Sequence, residues 1–157
     1  KVIGAALSFG GSEILDDVIL KGFQELLPDD IEINFLKQDD CLLSYGSYKD
    51  HGYFIEVDLK FNDASVDVLR GGIAHELAHI SHEKLNKLGF VDSFLYKHSE
   101  RFRILDERNT DLEVIFRGFG ADLLQFLDYR EMLGYSMDDY EGLTRREVKS
   151  LMTKVAV

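Results

Sequence analysis

The strongest constraint on the fold is a change in hydrophobic period near Ser65. Upstream of it, Ile31–Leu36 alternates and predicts a strand, and Cys41–Ser47 and Gly52–Phe61 predict the two arms of a hairpin. Downstream, the apolar residues follow helical spacing over Ser65–Leu88. Strands followed by helices predict an α+β domain with a small, mostly antiparallel sheet.

The other elements complete what we interpret as a single domain over residues 1–157. Val2–Phe9 is interpreted as a buried strand, and the two glycines after it are interpreted as a turn. Ser12 is then predicted to cap a helix over Glu13–Leu27. The C-terminal half is predicted to be helical. The first predicted helix spans Ser93–Phe116 and has a break near Arg101, and the second spans Ala121–Leu133. A last helix begins at a capping box between Thr144 and Glu147.

Charge and cysteine content limit the partners and the compartment. The formal net charge of −11 argues against nucleic acid and against an anionic membrane, since both attract clustered Lys and Arg. The lone cysteine, Cys41, cannot form an intramolecular disulfide, which agrees with a reducing, cytoplasmic location. No apolar run approaches the ~20 residues that span a bilayer, and the apolar Val2–Phe9 suits a strand better than a signal peptide.

Two histidines four residues apart, His75 and His79, lie within the predicted helix. Residues at this spacing stand one turn apart on the same face, so both imidazoles can reach one ion. Glu76 lies beside the pair and can reach a metal-activated water rather than the metal itself. The alternative interpretation is two ordinary helix histidines.

A catalytic zinc takes three protein ligands, and the chain offers two candidates for the third. His82 follows His75 by seven residues, but the helix rise places it ~10 Å along the axis, so we expect it to be solvated or to support a ligand. Glu107 and Asp111 share an apolar stripe on a later helix, where carboxylates are costly unless a cation neutralises them. The alternative is a surface pair at the edge of that stripe.

The His-Glu-x-x-His motif at His75–His79, followed by Glu-x-x-x-Asp from Glu107 to Asp111, resembles the gluzincin metallopeptidases. The order of elements is similar to that of the compact minigluzincins. The resemblance implies a zincin-like fold, bound Zn²⁺ and Glu107 as the third ligand. It also implies that Asp111 hydrogen-bonds a zinc-binding histidine, which we expect to be His75.

The activity implied is zinc-dependent hydrolysis of a peptide or protein substrate, with Glu76 as general base. We expect an extended peptide to pair with the strand Gly52–Phe61. Residues Asp138–Val157 could cover the cleft and make the enzyme latent. The alternative is a zinc-stabilised protein-binding or regulatory domain without catalysis, and other divalent ions also suit these ligands. Three tyrosines are available to stabilise an oxyanion: Tyr129, Tyr135 and Tyr140.

Overall fold

Six α-helices and three strands form the part of the chain that the computed structural model describes, which is residues 2–50, 52–85 and 89–156, with side chains for 10–50, 52–85 and 94–156. The expected α+β class is confirmed, with helices outnumbering the strands of a small sheet. The strands are β1 (Ile31–Leu36), β2 (Leu43–Ser47) and β3 (Tyr53–Asp58). The helices are α1 (Val2–Gly22), α2 (Val66–Leu85), α3 (Gly89–His98), α4 (Glu100–Val114), α5 (Gly120–Met132) and α6 (Arg145–Val155).

Helix α1 replaces a predicted strand and turn. A single helix runs through Val2–Phe9 and the two glycines after it, and it ends at Gly22 instead of Leu27. The strand prediction is wrong because a short apolar run fits a buried strand and a buried helix equally well. Gly11 serves packing rather than a turn, since a Cβ built there would lie 2.3 Å from Cε2 of Phe35. Helix α1 can therefore approach β1 closely.

The sheet has the strand order β1-β3-β2. β2 pairs antiparallel with β3, as the predicted hairpin requires, but β1 runs parallel to β3. The sheet is therefore mixed rather than mostly antiparallel, and β3 is its central strand, with Ile55 and Val57 fully buried. Hydrophobic alternation fixes which face of a strand is buried but not which strands are its neighbours, and this explains the error.

Buried Asp58, at the end of β3, holds the loop that leads from β1 to β2. Its carboxylate accepts hydrogen bonds from the backbone N–H groups of Gln38 and Lys60, each at 2.7 Å. Its own backbone N–H donates to the carbonyl of Leu42 at 2.9 Å. These bonds fix the chain just before β2, which borders the cleft described below.

Helix α2 runs through the centre of the molecule and packs against α1, α4, α5 and β2. Over its described residues the predicted apolar stripe is buried, except for Val66 in the first turn. The predicted end of this helix, at residues 86–88, lies outside the described residues. A helix covered on so many sides holds its polar side chains away from water, so His75, Glu76 and His79 need partners inside the protein.

The helical C-terminal half follows the predicted pattern closely. Helices α3 and α4 are separated at Ser99, whose hydroxyl accepts from the N–H of Phe102 at 3.2 Å and caps α4. The chain kinks at Gly118 before α5 begins. Helix α6 opens with the predicted capping box between Thr144 and Glu147 and packs on α5.

Candidate metal centre and cleft

Helices α2 and α4 bring three predicted ligands together. Nε2 of His75 and Nε2 of His79 are 3.2 Å apart, and oxygens of Glu107 lie 3.1 Å from the first and 3.3 Å from the second. Ligand atoms ~2.0–2.1 Å from one tetrahedral zinc stand about 3.3 Å from one another. His75, His79 and Glu107 therefore form a group that could hold a metal ion.

The two imidazoles are oriented so that their lone pairs converge. Nδ1 of His75 lies 2.9 Å from Oδ1 of Asp111, which places a proton on Nδ1 and leaves Nε2 facing Glu107. Nδ1 of His79 lies 3.4 Å from the hydroxyl of Thr110, whose own proton goes to a backbone carbonyl one turn earlier. Two lone pairs and a carboxylate at such short range repel one another unless a cation or a proton lies between them.

Burial and neighbouring charges shift the pKa values of the ligands. Burial lowers the pKa of His75, but its hydrogen bonds to Asp111 and Glu107 and their charges outweigh burial, so this pKa lies well above its ordinary value. Burial raises the pKa of Glu107, but the hydrogen bonds to both histidines hold it well below its usual range. Glu107 is therefore an ionised carboxylate in a buried site, as a metal ligand must be.

Asp111 is fully buried, and three donors hold its carboxylate. Besides Nδ1 of His75, the hydroxyl of Tyr140 donates to it at 2.9 Å and the N–H of Leu143 donates at 2.8 Å. The loop between these donors comes so close that a Cβ on Gly142 would lie 2.1 Å from Oδ2 of Asp111. Asp111, the predicted partner of His75, is thus positioned by Tyr140 and Leu143, which lie between α5 and α6.

Glu76 lines a cleft beside the histidine pair. Its side chain is buried, and burial raises the pKa of Glu76, although the charges of His75 and His79 act in the opposite direction. A carboxylate with a raised pKa is a stronger proton acceptor than an ordinary one. Glu76 can therefore take a proton from a water molecule in the cleft.

Tyr96 is a site residue that sequence reasoning missed. Its hydroxyl donates to Oε1 of Glu107 at 2.5 Å, and its side chain lines the cleft. Burial and the charge of Glu107 raise the pKa of Tyr96, so the hydroxyl keeps its proton. Helix α3 packs against α4 across the break at Ser99, and no local pattern around Tyr96 predicts that contact.

The cleft beside the ligands has a volume of about 600 Å³. β2 borders it through the segment from Leu43 to Tyr45, and the ring of Tyr45 stacks on His79 with centroids 5.4 Å apart. Because β3 is central, the prediction that Gly52–Phe61 is the edge for a peptide is wrong. β2 is the edge strand at the cleft.

The other predicted candidates lie outside the ligand group. His82 pairs with Glu113 of α4. Tyr135 lines the cleft, and its hydroxyl accepts from Nζ of Lys60 at 3.0 Å. Tyr129 instead donates to the carbonyl of Lys60 at 3.0 Å and does not belong to the described cleft lining.

The segment Asp138–Val157, which we expected to cover the cleft, packs against the body of the fold over its described residues. Tyr140 reaches the cleft lining, whereas α6 packs on α5 and on the kinked turn Ile115–Phe119. Two ion pairs tie α4 to this segment: Arg103–Glu141 and Arg108–Glu147. Its described contacts are therefore structural.

Comparison with known proteins gives no relative for this chain. No protein-family model, no curated protein and no solved structure matches it. None of the described helices combines the length and the apolar character needed to cross a membrane. A functional proposal therefore rests on the ligand geometry and on the residues around the cleft.

Proposed function

We propose that this chain is a zinc-dependent metallopeptidase with a zincin-like fold and a gluzincin-type centre. The proposal rests on the spacing of 3.1–3.3 Å among ligand atoms of His75, His79 and Glu107, beside the buried carboxylate of Glu76. Two imidazoles and one carboxylate are a ligand set that leaves catalytic zinc an open fourth position. A zinc ion bound there would lower the pKa of water toward ~7 and polarise a carbonyl group.

Three other side chains carry the remaining steps of hydrolysis. Asp111 holds the proton on Nδ1 of His75, so that Nε2, which faces Glu107, is the nitrogen that would bind the metal. Glu76 takes a proton from the attacking water and delivers it to the leaving amine. Tyr96 keeps its hydroxyl proton, which it donates to Oε1 of Glu107 in the free protein, and we propose that this hydrogen bond shifts to the substrate carbonyl oxygen as negative charge develops there.

An extended peptide is the substrate that suits this cleft best. β2 is an edge strand of the sheet that the described residues form, and a peptide can add alongside an edge strand by backbone pairing. Because β2 also lines the cleft, such a peptide would pass beside the ligand group. We place the enzyme in a reducing compartment such as the cytoplasm, because its single cysteine, Cys41, is a free thiol.

The variant Glu76→Gln tests this function. We expect it to keep its zinc and to lose at least ~10²-fold in peptide hydrolysis, because glutamine has the same shape but cannot accept the proton. Zinc content is measured by mass spectrometry, and hydrolysis is measured with a quenched fluorogenic peptide library. Glu83→Gln, at another carboxylate of the cleft lining, is the matched control and should retain activity. Wild-type turnover by Glu76→Gln would refute the mechanism.

A zinc-stabilised binding domain without catalysis is the second candidate. It is favoured by the way in which two buried histidines of α2 and the half-buried Glu107 join α2 to α4, as a structural zinc would. Turnover that a chelator abolishes supports the peptidase. A protein that holds one zinc per chain and hydrolyses no peptide of the library supports the binding domain.

A further inference from the structure

Arg130 of α5 places a positive charge in the cleft lining. Its Nη1 is buried and has no hydrogen-bond partner among the described residues. The guanidinium lies over the ring of Tyr140, 4.7 Å from its centroid, and 5.8 Å from the ring centroid of Tyr135. Burial lowers the pKa of Arg130, which reflects the cost of holding this charge away from water.

Arg130 has no described carboxylate partner, whereas several arginines elsewhere in the chain are paired with carboxylates. Arg117, for example, is also partly buried, and its guanidinium pairs with Glu25 and Glu113. Aromatic faces such as those against Arg130 attract a cation but accept no ordinary N–H hydrogen bond. A guanidinium in the cleft lining whose Nη1 has no described hydrogen-bond partner is therefore suited to an acceptor that a ligand brings. The arginines that pair with described carboxylates are Arg70, Arg103, Arg108, Arg117 and Arg145.

The remaining charges of the cleft make the position of Arg130 distinctive. Among the lining residues in the described chain, it is the one arginine or lysine. Acidic side chains repel an anionic ligand over most of the cleft, so a carboxylate is favoured at Arg130 and disfavoured elsewhere. The acidic lining residues are Asp40, Glu76, Glu83, Asp106 and Glu107.

A short series of contacts links Arg130 to the metal centre. Its guanidinium lies on the ring of Tyr140, whose hydroxyl bonds Asp111, and Asp111 in turn bonds His75. An extended peptide advances ~3.3–3.6 Å per residue. A peptide bond held at the ligand group and a carboxylate held at Arg130 can therefore belong to one substrate, a few residues apart.

We propose that Arg130 binds a carboxylate of the peptide substrate, a few residues from the cleaved bond, and selects substrates by that group. The inference rests on the proposed peptidase function. The carboxylate can be the free C-terminus of the peptide or the side chain of an Asp or Glu residue. Either one offers the planar pair of oxygens that a guanidinium binds best.

Matched peptides distinguish the two sources. One pair has the same sequence with a free C-terminus or a C-terminal amide, and a second pair has Glu or Gln at each position near the cleaved bond. With the zinc-loaded 157-residue chain, we expect kcat/KM to be at least ~10-fold higher for one carboxylate peptide than for its neutral match, equivalent to ~1.4 kcal/mol. Equal rates within both pairs would overturn the proposal.

Variants assign the preference to Arg130. Arg130→Gln should abolish it while neutral peptides are still hydrolysed, and Arg130→Lys should keep part of it because the charge remains without the fork. Arg145→Gln, at an arginine outside the described cleft lining, is the matched control and should keep the whole preference. An unchanged preference in Arg130→Gln, or an equal loss on neutral peptides, would overturn the assignment.

Binding to the zinc-loaded Glu76→Gln protein separates this inference from the proposed function. Titration calorimetry measures the same peptide pairs with and without the added Arg130→Gln change. Carboxylate selectivity that disappears with Arg130 supports the site even when no peptide is hydrolysed. Hydrolysis without such selectivity supports the peptidase and overturns the site. Selectivity that vanishes on zinc removal with Arg130 intact assigns the carboxylate to the metal and likewise overturns it.

Discussion

His75 has both ring nitrogens engaged by carboxylates. Asp111 lies at Nδ1 and Glu107 lies at Nε2, and together they outweigh the effect of burial on the pKa of His75. A metal ion held by His75, His79 and Glu107 would bind at the nitrogen that Glu107 faces, so it would have to displace a proton held there. Metal binding and protonation of this one ring are therefore coupled.

Zinc binding should release protons near neutral pH. Because the pKa of His75 lies above its ordinary value of ~6.5, the metal-free ring holds its proton to a higher pH than a free histidine does, and zinc must displace that proton to bind. Apparent zinc affinity should rise with pH until the pKa of His75 is passed. Calorimetry in buffers of different ionisation enthalpy counts the protons released.

The same raised pKa has the opposite effect on the metal-free fold. The folded chain binds this proton more tightly than the unfolded chain, so the stabilisation is complete below pH ~6.5 and is lost as pH rises through the folded-state pKa. His82→Gln is a control, because His82 lies outside the ligand group. In the zinc titration, the wild type and His82→Gln should release protons alike. Zinc binding to these two proteins without proton release at pH 7.5 would contradict the assignment of the released proton to His75.

At the scale of elements, the C-terminal segment Asp138–Val157 binds side chains of α4. Tyr140 and Leu143 donate to Asp111, and the segment is also tied to α4 by Arg103 and Arg108. A buried carboxylate that loses a donor retains the cost of leaving water without the compensating bond. The segment therefore helps to hold Asp111 in its hydrogen bond to His75.

Truncation of this segment should weaken the protein rather than activate it. In a chain that ends at Ser136, Asp111 loses the donors from Tyr140 and Leu143, each worth ~1–3 kcal/mol of folding free energy. We expect a lower melting temperature, less zinc per chain and no gain in peptide turnover. Calorimetry, metal analysis and the fluorogenic assay measure these quantities. A chain that ends at Val155 is the control, and higher turnover after the longer truncation would identify an inhibitory segment.

Elements with strong local signals were predictable, whereas their neighbours in space were not. Helix α2, the β2–β3 hairpin and the capping box of α6 each depend on residues a few positions apart. The parallel pairing of β1 with β3 depends on the whole domain, and so does the helical conformation of Val2–Phe9. The site divides in the same way. Glu107 and Asp111 lie at helical spacing on one helix, and this spacing is visible in the sequence. The contacts of Tyr96 with Glu107 and of Tyr140 with Asp111 join separate elements, so no local pattern predicts them.

At the scale of the whole molecule, a cation bound by the candidate ligands would have two stabilising effects. It would join α2 to α4 through His75, His79 and Glu107, and it would neutralise part of the charge of a chain with a formal net charge of −11. Self-repulsion opposes the compact state of a strongly charged protein. A metal ion that binds only the folded chain therefore adds its binding free energy to folding.

Zinc removal should lower the melting temperature markedly. Zinc at ~1,000 times its Kd stabilises the fold by ~4.1 kcal/mol. In a domain of this size, each kcal/mol shifts the melting temperature by ~2–4 °C, so we expect a chelator to lower it by ~8–16 °C. Calorimetry with and without chelator measures the shift.

Glu107→Gln should reduce this chelator shift, because the variant loses its charged ligand. Glu100→Gln, at an exposed residue of the same helix, is the matched control and should respond as the wild type does. An equal shift in Glu107→Gln and wild type would remove Glu107 from the ligand set.

The dependence of Asp111 on Tyr140 and Leu143 has a consequence for biosynthesis. A ribosome makes ~5–20 residues per second, so roughly 3–14 s pass between the synthesis of His75 and that of Leu143. During that interval the histidines exist without a fully supported Asp111, and for its first part they exist without Glu107. A zinc ion that arrives early would meet two unoriented imidazoles, so we expect stable metallation to follow the synthesis of Leu143 rather than precede it.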